Sequence, residues 1–541
     1  MNIVFDKKTL KVLSLFDNDF AVTDDQKMLK SMFPDKFNEI LLWQIEVKIN
    51  YNPCHLKVQL DADGDPQFLL CKGKTVYSRS EENKKNQSKQ KFKTVKRTLQ
   101  KIFSRGFFNS MGDEVIKLWM QSPYTDTSIS ASMCNYDYFF EKEILPVSWW
   151  GPFMDAGGYA NMNREITFRL HNHHIIPKIE ICPTAPQISQ LSQYYVSKYT
   201  SFDFSRIKKY PKIWSFTPIP HPPHQGKNIF FTMMETETLH PEFARICNRY
   251  ADEVWVPSKH NMRVFEECGV KKPIFSFPLG IDENIYHKNN TEDNSGKLGV
   301  INDKFSFMDL LGKPVSQGIN SFRYLSLFGW SYRKGVDILI KSFVDAFDSK
   351  DDVALLIFSR HSGSPAQDHI NVIKQETEKY AKSIRRSNYP QIVLYPHIIP
   401  ERQMPSIYMM GHAFVHFSRG EGFSLPQIEA AACGLPVISC NNTGMSEYLT
   451  DDNAYLVKTD QKEICSSEMH WITSYYHGQL FPKLGKDQIE QAKKHMCYVI
   501  NNYNDALIKG KKLQNLVFQE YTWDIATKRI ANRIKEICGK K

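Results

Sequence analysis

The sequence lacks the features that mark secreted and membrane-spanning proteins. Its eleven cysteines show no paired spacing and no C-x-x-C motif, which argues against a disulfide framework. No run of about eighteen apolar residues occurs, so no membrane-spanning helix is predicted. The first twenty residues carry charges where a signal peptide has its apolar core. We therefore expect a cytoplasmic protein with reduced thiols.

The composition is that of a soluble globular protein. The chain has 541 residues, of which 42% are hydrophobic and 24% charged, enough for two or three domains. The net charge of +10 is modest for this length. It would suit an anionic ligand or an anionic surface, but it does not choose between them.

One segment, residues 418–447, carries the strongest indication of function. An apolar strand is predicted before it at 413–417, and a second strand at 436–440. Pro426 suits the first turn of the helix between them, and Gly434 suits its end. In a parallel sheet, ligands bind at the carboxyl ends of the strands, where helix N-termini favour anions.

Two carboxylates, Glu421 and Glu429, flank the glycine-containing loop of this segment. Their spacing alone is uninformative, because exposed helical glutamates are usually only solvated. Combined with the loop and the helix, the pattern indicates a sugar-nucleotide site in which N–H groups hold phosphate and carboxylates hold hydroxyls.

The alternation of strands and helices predicts two Rossmann-like halves with a cleft between them. The predicted divisions are an N-terminal extension with β structure (1–140), an N-terminal Rossmann-like domain (141–318), a C-terminal Rossmann-like domain (319–515) and an amphipathic helix packing back on the body (516–541).

Several motifs in order resemble the retaining glycosyltransferases of the group 1 family (family 4), which includes glycogen- and sucrose-synthase-like enzymes. The matching stretches are the Gly157-Gly158 loop, 233–237, VWVPS at 254–258, PLGID at 278–282, 328–343, and SRGEGFSLPQIEAAACGLPVIS from residue 418. The resemblance covers about residues 144–535.

The resemblance implies an α/β protein of the GT-B fold, with two facing Rossmann-like domains and an interdomain cleft. In that fold 141–318 would be the acceptor-side domain and 319–515 the nucleotide-sugar-binding domain. It implies transfer of a hexosyl group from a nucleoside diphosphate sugar to an acceptor hydroxyl, with retention of configuration and without a metal or other cofactor. The acceptor would be a glycan, a lipid or a protein, and no nucleic acid is expected. The alternatives are a catalytically silent GT-B scaffold and a nucleotide-sugar epimerase.

The resemblance also implies roles for individual residues. Glu429 would bind the ribose hydroxyls and Glu421 a hydroxyl of the donor sugar, while Lys334 would neutralise the leaving diphosphate. Backbone N–H groups would bind the donor sugar and diphosphate at Gly422, Phe423, Ser424 and Leu425. Gly157 and Gly158 would lie over the reaction centre.

The turn after the first strand of the C-terminal Rossmann-like domain departs from the family pattern. Trp330 takes the position at which the family commonly has an arginine. Arg333, next to Lys334, is the candidate for the missing cation. The alternative is that Arg333 is a surface cation.

Three other clusters could suggest ligand binding. The acidic run 61–65 resembles a D-x-D motif, but its Gly-Asp-Pro sequence favours a hairpin turn. His171, His173 and His174 lack metal-ligand spacing, so surface or helix-capping histidines are expected. His221 and His224 lie in a proline-rich loop that we expect to face the cleft.

The basic stretch within residues 78–105 is predicted as a loop followed by a helix. A solvated loop is the first interpretation of its charge, peripheral attachment to anionic lipid the second, and nucleic-acid binding the third.

Overall fold

The computed structural model describes residues 145–539 with gaps, the widest of which are 183–195, 287–307, 310–317 and 466–475. Before residue 145 it describes only the backbone of six strands. The predicted hairpin turn at 61–65 and the basic stretch 79–105 lie outside the described residues. The chain divides into two compact units, Met1–Lys212 with Lys535–Lys541, and Ile213–Ile534.

The first unit begins with a six-stranded sheet, as the predicted β structure of this region implies. Its strands follow the order β2-β1-β3-β4-β5-β6. The neighbouring strands are antiparallel except for β1 and β3, and β4 and β5 flank the predicted turn. The strands are β1 (Asn2–Phe5), β2 (Leu10–Val12), β3 (Leu42–Ile49), β4 (Asn52–Leu60), β5 (Pro66–Cys71) and β6 (Lys74–Ser78).

A β-α-β element completes the described part of this unit. Strand β7 (Leu145–Gly151) and strand β8 (Ile175–Ile181) pair in parallel, joined by helix α1 (Gly158–Leu170). Val147 and Trp149 on β7 are fully buried, and the Trp149 indole donates to Asn163 on the helix at 3.0 Å. That contact satisfies a polar group that burial would otherwise penalise.

The second unit begins with further βα alternation. Three parallel strands follow one another in the sheet, and a helix lies between each pair in sequence. The elements are β9 (Lys212–Trp214), which spans the unit boundary, β10 (Asn228–Phe231), α2 (Pro241–Tyr250), β11 (Glu253–Val256), α3 (Lys259–Glu267) and β12 (Ile274–Ser276). Pro241 stands in the first turn of α2, as the helix-start pattern predicts.

The rest of the second unit is built on a seven-stranded sheet in the order β13-β16-β15-β14-β17-β18-β19. All pairs are parallel except β13 with β16. The strands are β13 (Met308–Asp309), β14 (Phe322–Gly329), β15 (Val353–Arg360), β16 (Gln391–Tyr395), β17 (Ala413–His416), β18 (Val437–Cys440) and β19 (Tyr455–Val457).

The structure also describes helices between and after these strands, and a separate small hairpin. The helices are α4 (Val336–Ala346), α5 (Ala366–Ile384), α6 (Met404–Tyr408), α7 (Leu425–Ala432), α8 (Lys486–Asn501), α9 (Tyr503–Glu520) and α10 (Trp523–Ile537). The hairpin pairs β20 (Lys462–Ile464) with β21 (Leu480–Pro482). The central strands β14, β15, β17 and β18 are almost wholly buried and apolar, which is typical of a parallel sheet covered on both faces.

The end of the chain contacts the first α/β segment of the same unit. Thr522 forms a β-bridge with Ile281, and the Arg533 guanidinium lies 2.6 Å from Glu253 at the start of β11. Of the helices that the structure describes, none combines the length and apolar character that a membrane crossing demands.

Candidate active site

Two loops meet where β14 and β17 end, at the carboxyl edge of the seven-stranded sheet. After β14 the chain forms a short 3₁₀ turn, Tyr332–Lys334, and Gly335 then begins α4 with φ of 64°. A Cβ at Gly335 would lie 1.7 Å from the carbonyl oxygen of Phe417, just after β17. Only glycine permits both this left-handed backbone and this close approach. The turn is therefore held directly against the loop that follows β17.

That second loop contains Glu421, which lies at the centre of a charged cluster. Lys334 Nζ is 2.6 Å from Glu421 Oε1, and an Arg333 guanidinium nitrogen is 3.3 Å from Oε2. Burial alone would raise the pKa of Glu421, but the charges of Lys334 and Arg333 outweigh it and hold the pKa well below its usual range. Glu421 is therefore an ionised carboxylate between two cations.

His416, the last residue of β17, also contacts this carboxylate. Its Nε2 lies 3.0 Å from Glu421 Oε1, and its side chain is fully buried. An ionised carboxylate can only accept hydrogen bonds, so we assign the proton to Nε2. Burial lowers the pKa of His416 and favours this neutral form. In the described part of the chain, Nδ1 has no hydrogen-bond partner.

Arg419 fixes the two loops to each other. Its guanidinium makes a bidentate contact with Asp337 on α4, at 2.8 and 3.0 Å, and stacks 3.6 Å from the Tyr332 ring. Its backbone N–H donates to the carbonyl oxygen of Arg333 at 2.7 Å. The turn Tyr332–Lys334, which carries Arg333 and Lys334, is called the cationic turn below. A buried arginine with this many partners keeps it in place, because the planar guanidinium can serve several acceptors at once.

Helix α7 begins directly after the loop, with Pro426 in its first turn as predicted. Ser424 precedes it in the left-handed region, with φ of 76°, and its hydroxyl has no partner among the described residues. Strained, unsatisfied residues of this kind concentrate at functional sites. The Phe423 and Ser424 carbonyl oxygens accept hydrogen bonds from the Tyr448 hydroxyl at 2.9 and 3.1 Å, which fixes the start of the helix.

The other predicted donor-binding residues lie on this loop and helix. The carbonyl oxygen of Gly422 accepts a hydrogen bond from the Ser258 hydroxyl at 3.1 Å. Leu425 is the first residue of α7. Glu429, one turn further, accepts a hydrogen bond from the Tyr408 hydroxyl at 2.7 Å. The structure thus places all four predicted donor-binding positions from 422 to 425, with Glu429, in one continuous stretch after β17.

Trp330, which stands where the family commonly has an arginine, makes defined contacts. The Trp330 indole is buried and donates to Glu376 on α5 at 2.6 Å. Arg333 is only 15% exposed and donates to the carbonyl oxygen of Gly420, so it is not a surface cation. The catalytic roles assigned to Arg333, Lys334 and Glu421 stay predictions.

Comparison with known proteins identifies the region that holds this cluster. A family model described as "Glycosyl transferases group 1" matches residues 321–472. This segment is similar to the group 1 glycosyltransferases. It contains the cationic turn, Glu421 and Glu429.

Two curated relatives match parts of the chain. The A subunit of the phosphatidylinositol N-acetylglucosaminyltransferase of Arabidopsis thaliana is 26% identical over 133 residues, 25% of this chain and 27% of the relative. The O-antigen chain mannosyltransferase B of Escherichia coli is 37% identical over 59 residues, 11% of this chain and 16% of that protein. The matches therefore span about a quarter or less of these relatives.

A solved structure supports the fold. Sucrose-phosphate synthase from Thermosynechococcus elongatus superimposes with a TM-score of 0.50 at 13% identity, covering 73% of this chain and 99% of that one. The chain has the α/β architecture of the GT-B class, as the sequence predicts.

Gly157 and Gly158 lie in the first unit, at the start of α1. The Gly157 N–H donates to Asp155 Oδ1 at 2.7 Å, and a Cβ there would meet the same oxygen. The loop before the helix is thus tight, as expected for a glycine pair after a strand. Its predicted place over the reaction centre stays a prediction.

His171 is the C-terminal capping residue of α1, one of the two expected positions, and its side chain is buried rather than on the surface. The expectation for His221 is wrong, because its ring is buried and stacked on Trp214 with ring centroids 4.0 Å apart. Among the described residues, no cluster of three or more potential metal ligands occurs.

Four residues at or next to the charged cluster and Glu429 were not singled out from the sequence: Glu235, Tyr408, His416 and Arg419. Glu235 follows β10, and Tyr476 donates to its Oε2 at 2.6 Å. His416 is the one polar residue in the apolar run 413–417, a signal that could have been used. Tyr408 stands in α6, 21 residues before its partner Glu429, and nothing local in its sequence marks it.

Proposed function

We propose that this protein is a glycosyltransferase that moves a hexosyl group from a nucleoside diphosphate sugar to an acceptor hydroxyl. The observation that carries the proposal is the convergence of Arg333 and Lys334 on Glu421 beside the N-terminus of α7. It joins two cations and an ionised carboxylate to the start of a helix, where the first N–H groups have no partner within the helix, at a sheet edge where ligands bind. The names of the matched relatives, an N-acetylglucosaminyltransferase and a mannosyltransferase, support sugar transfer.

The donor would lie along the loop after β17 and the start of α7. Glu429 would bind the ribose hydroxyls, and Glu421 a hydroxyl of the sugar. Backbone N–H groups from Gly422 to Leu425 would bind the sugar and the diphosphate, where the helix dipole favours negative charge. A diphosphate bound there would form ion pairs with Arg333 and Lys334, which pair with Glu421 in the free protein.

Arg333 and Lys334 would stabilise the negative charge that grows on the leaving diphosphate. We propose on this basis that transfer needs no metal ion, because two fixed cations and the helix N-terminus supply the positive charge. Each such donor aimed at a developing charge contributes about 10²–10³ in rate in other enzymes.

Retention of configuration is the further part of the proposal. The acceptor oxygen would form its bond to the anomeric carbon on the face from which the diphosphate leaves. The bond from that carbon to the phosphate oxygen breaks, and this oxygen receives the acceptor's proton. No protein nucleophile is then needed, and Arg333 and Lys334 act on the phosphate throughout.

Calorimetry with UDP-, GDP- and ADP-sugars tests the donor assignment. We expect one nucleotide class to bind, and binding to be lost in Glu429→Gln. Binding that survives this substitution would remove Glu429 from the site. If no donor binds the wild-type chain, the domain is a scaffold and the proposal is wrong.

Product analysis then tests the reaction. The donor that binds is incubated with hydroxyl acceptors, including phosphatidylinositol, which the name of one relative suggests. Proton NMR of the product reads the anomeric configuration, and EDTA tests the metal requirement. Inversion, loss of activity in EDTA, or an epimerised free sugar nucleotide would each contradict a specific part of the proposal.

A further inference from the structure

A second carboxylate, Glu235, lies at the charged cluster around Glu421. It stands four residues after β10, beyond the carboxyl end of that strand. A Cβ placed on Gly420 would lie 1.8 Å from the Glu235 carbonyl oxygen. The Glu235 backbone is therefore packed directly on the loop residue that precedes Glu421. No larger residue at 420 would allow this approach.

Arg333 lies between the two carboxylates. Its guanidinium nitrogens are 3.3 Å from Glu421 and 3.7 Å from Glu235. The three side chains are 15%, 7% and 18% exposed, respectively. At this burial, water and salt screen the charges far less than on an open surface. Each carboxylate therefore contributes strongly to the potential that Arg333 experiences.

Tyr476 fixes the direction of the Glu235 side chain. The Tyr476 hydroxyl donates to Glu235 Oε2 at 2.6 Å, and the Arg333 guanidinium lies 6.0 Å from the centre of the tyrosine ring. One carboxylate oxygen is thus held by the tyrosine while the other, Oε1, is the atom nearest Arg333. The contact between Glu235 and Arg333 is consequently a fixed feature of the free protein.

We propose that Glu235 competes with the diphosphate for Arg333 and so weakens the binding of the nucleoside diphosphate product. The proposal rests on the function proposed above. A diphosphate that contacts Arg333 brings negative charge towards Glu235, and like charges at this distance oppose each other. Lys334 makes its ion pair with Glu421 at 2.6 Å, so the competition with Glu235 acts chiefly at Arg333. Glu235 would thereby favour release of the product.

The direction in which removal of the Glu235 carboxylate changes nucleotide affinity distinguishes this role from a structural one. If Glu235 only oriented Arg333, its removal would leave the guanidinium poorly placed, and nucleotide affinity would fall. If it competes with phosphate, its removal frees Arg333, and affinity rises. One neighbouring charge commonly changes such an equilibrium tenfold or more, as pKa shifts of about 1–3 units show.

The experiment measures the Kd of UDP, GDP and ADP for the full chain by calorimetry. Glu235→Gln is expected to bind the preferred nucleotide about tenfold more tightly. Glu237→Gln is the matched control: it removes the same charge two residues away, where Glu237 pairs with Lys462 and Arg263. Its affinity is expected to stay within about twofold of wild type.

A double-mutant cycle shows whether the effect passes through Arg333. In an Arg333→Met background, Glu235→Gln should no longer tighten binding, because the cation it competes for is gone. A gain of the same size in that background would overturn the proposal. So would unchanged or weaker binding in Glu235→Gln alone.

Two further outcomes are distinguishable. If no nucleotide binds the wild-type chain, the proposed function fails, and the competition with it. If Glu235→Gln does not fold, Glu235→Asp withdraws the carboxylate by one methylene and should tighten binding by a smaller factor. Weaker or unchanged binding in Glu235→Asp would then contradict the inference.

Discussion

The Tyr408 hydroxyl donates a hydrogen bond to Glu429 Oε2 at a distance of 2.7 Å. Tyr408 is fully buried, and burial next to this carboxylate raises the pKa of its hydroxyl, which therefore stays protonated and able to donate. The oxygen that it contacts is one of the two predicted to receive the ribose hydroxyls. Tyr408, on α6, thus orients the side chain of Glu429, which is on α7.

Tyr408→Phe is expected to weaken nucleotide binding about three- to tenfold, because one hydrogen bond to a charged group is lost and Glu429 becomes free to rotate. The rate of transfer at saturating donor should change less. Calorimetry and steady-state kinetics measure the two effects. Tyr503→Phe is the control, since that hydroxyl donates to the His412 carbonyl at 3.1 Å, away from Glu429. Equal losses of affinity in both variants would refute the role.

Lys334→Ala is expected to lower donor hydrolysis or transfer at least about 100-fold while the protein stays folded. Glu421 keeps Arg333 and His416 as partners, so its buried charge is not left alone. Activity is measured by release of nucleoside diphosphate, and folding by circular dichroism. Lys350→Ala, at an exposed lysine after α4, should have wild-type activity. Full activity in Lys334→Ala would remove this lysine from the mechanism.

The sequence is most informative where local chemistry determines local structure. The apolar runs around residues 413–440, with Pro426 and Gly434, predict the strand, helix and strand that the structure shows. The helix observed over Trp523–Ile537 lies within residues 516–541, where an amphipathic helix is predicted. Each of these features depends on neighbours a few residues apart, which is the range over which propensity and periodicity act.

The rest of the site depends on distant contacts that no local pattern encodes. Glu235 and Tyr476 are 241 residues apart, and Arg333 and Glu421 are separated by more than 80. Glu235 stands in a stretch that matched the family pattern, but nothing nearby shows that it faces Arg333. Such pairs are fixed by sheet order and by close approaches like that at Gly420, which become known only in three dimensions.

Gly335→Ala is expected to destabilise the protein by about 2–4 kcal/mol and to abolish nucleotide binding. The added methyl group would lie 1.7 Å from the Phe417 carbonyl oxygen in a backbone conformation that alanine rarely adopts, so the cationic turn must move. Denaturant unfolding gives the stability, and calorimetry the binding. Gly318→Ala is the control, because no described atom lies within 4 Å of the position that its added methyl group would take. Equal effects of the two substitutions would contradict the argument.

Partly buried His412 should make the protein less stable as the pH falls from 6.5 towards 4. Burial, aided by the charge of Arg323, lowers the pKa of His412 from 6.5 to about 4. In that window the unfolded chain binds the proton and the folded chain does not, so protonation favours unfolding. Allowing for partial exposure, His412 should contribute about 1 kcal/mol to the loss of stability between about pH 7 and pH 5.

The measurement is urea unfolding over this pH range. His412→Asn, which retains an acceptor for the Arg323 backbone N–H, should lose less stability than wild type as the pH falls. His477→Asn, at an exposed histidine, should match wild type, and an unchanged slope in His412→Asn would contradict the prediction.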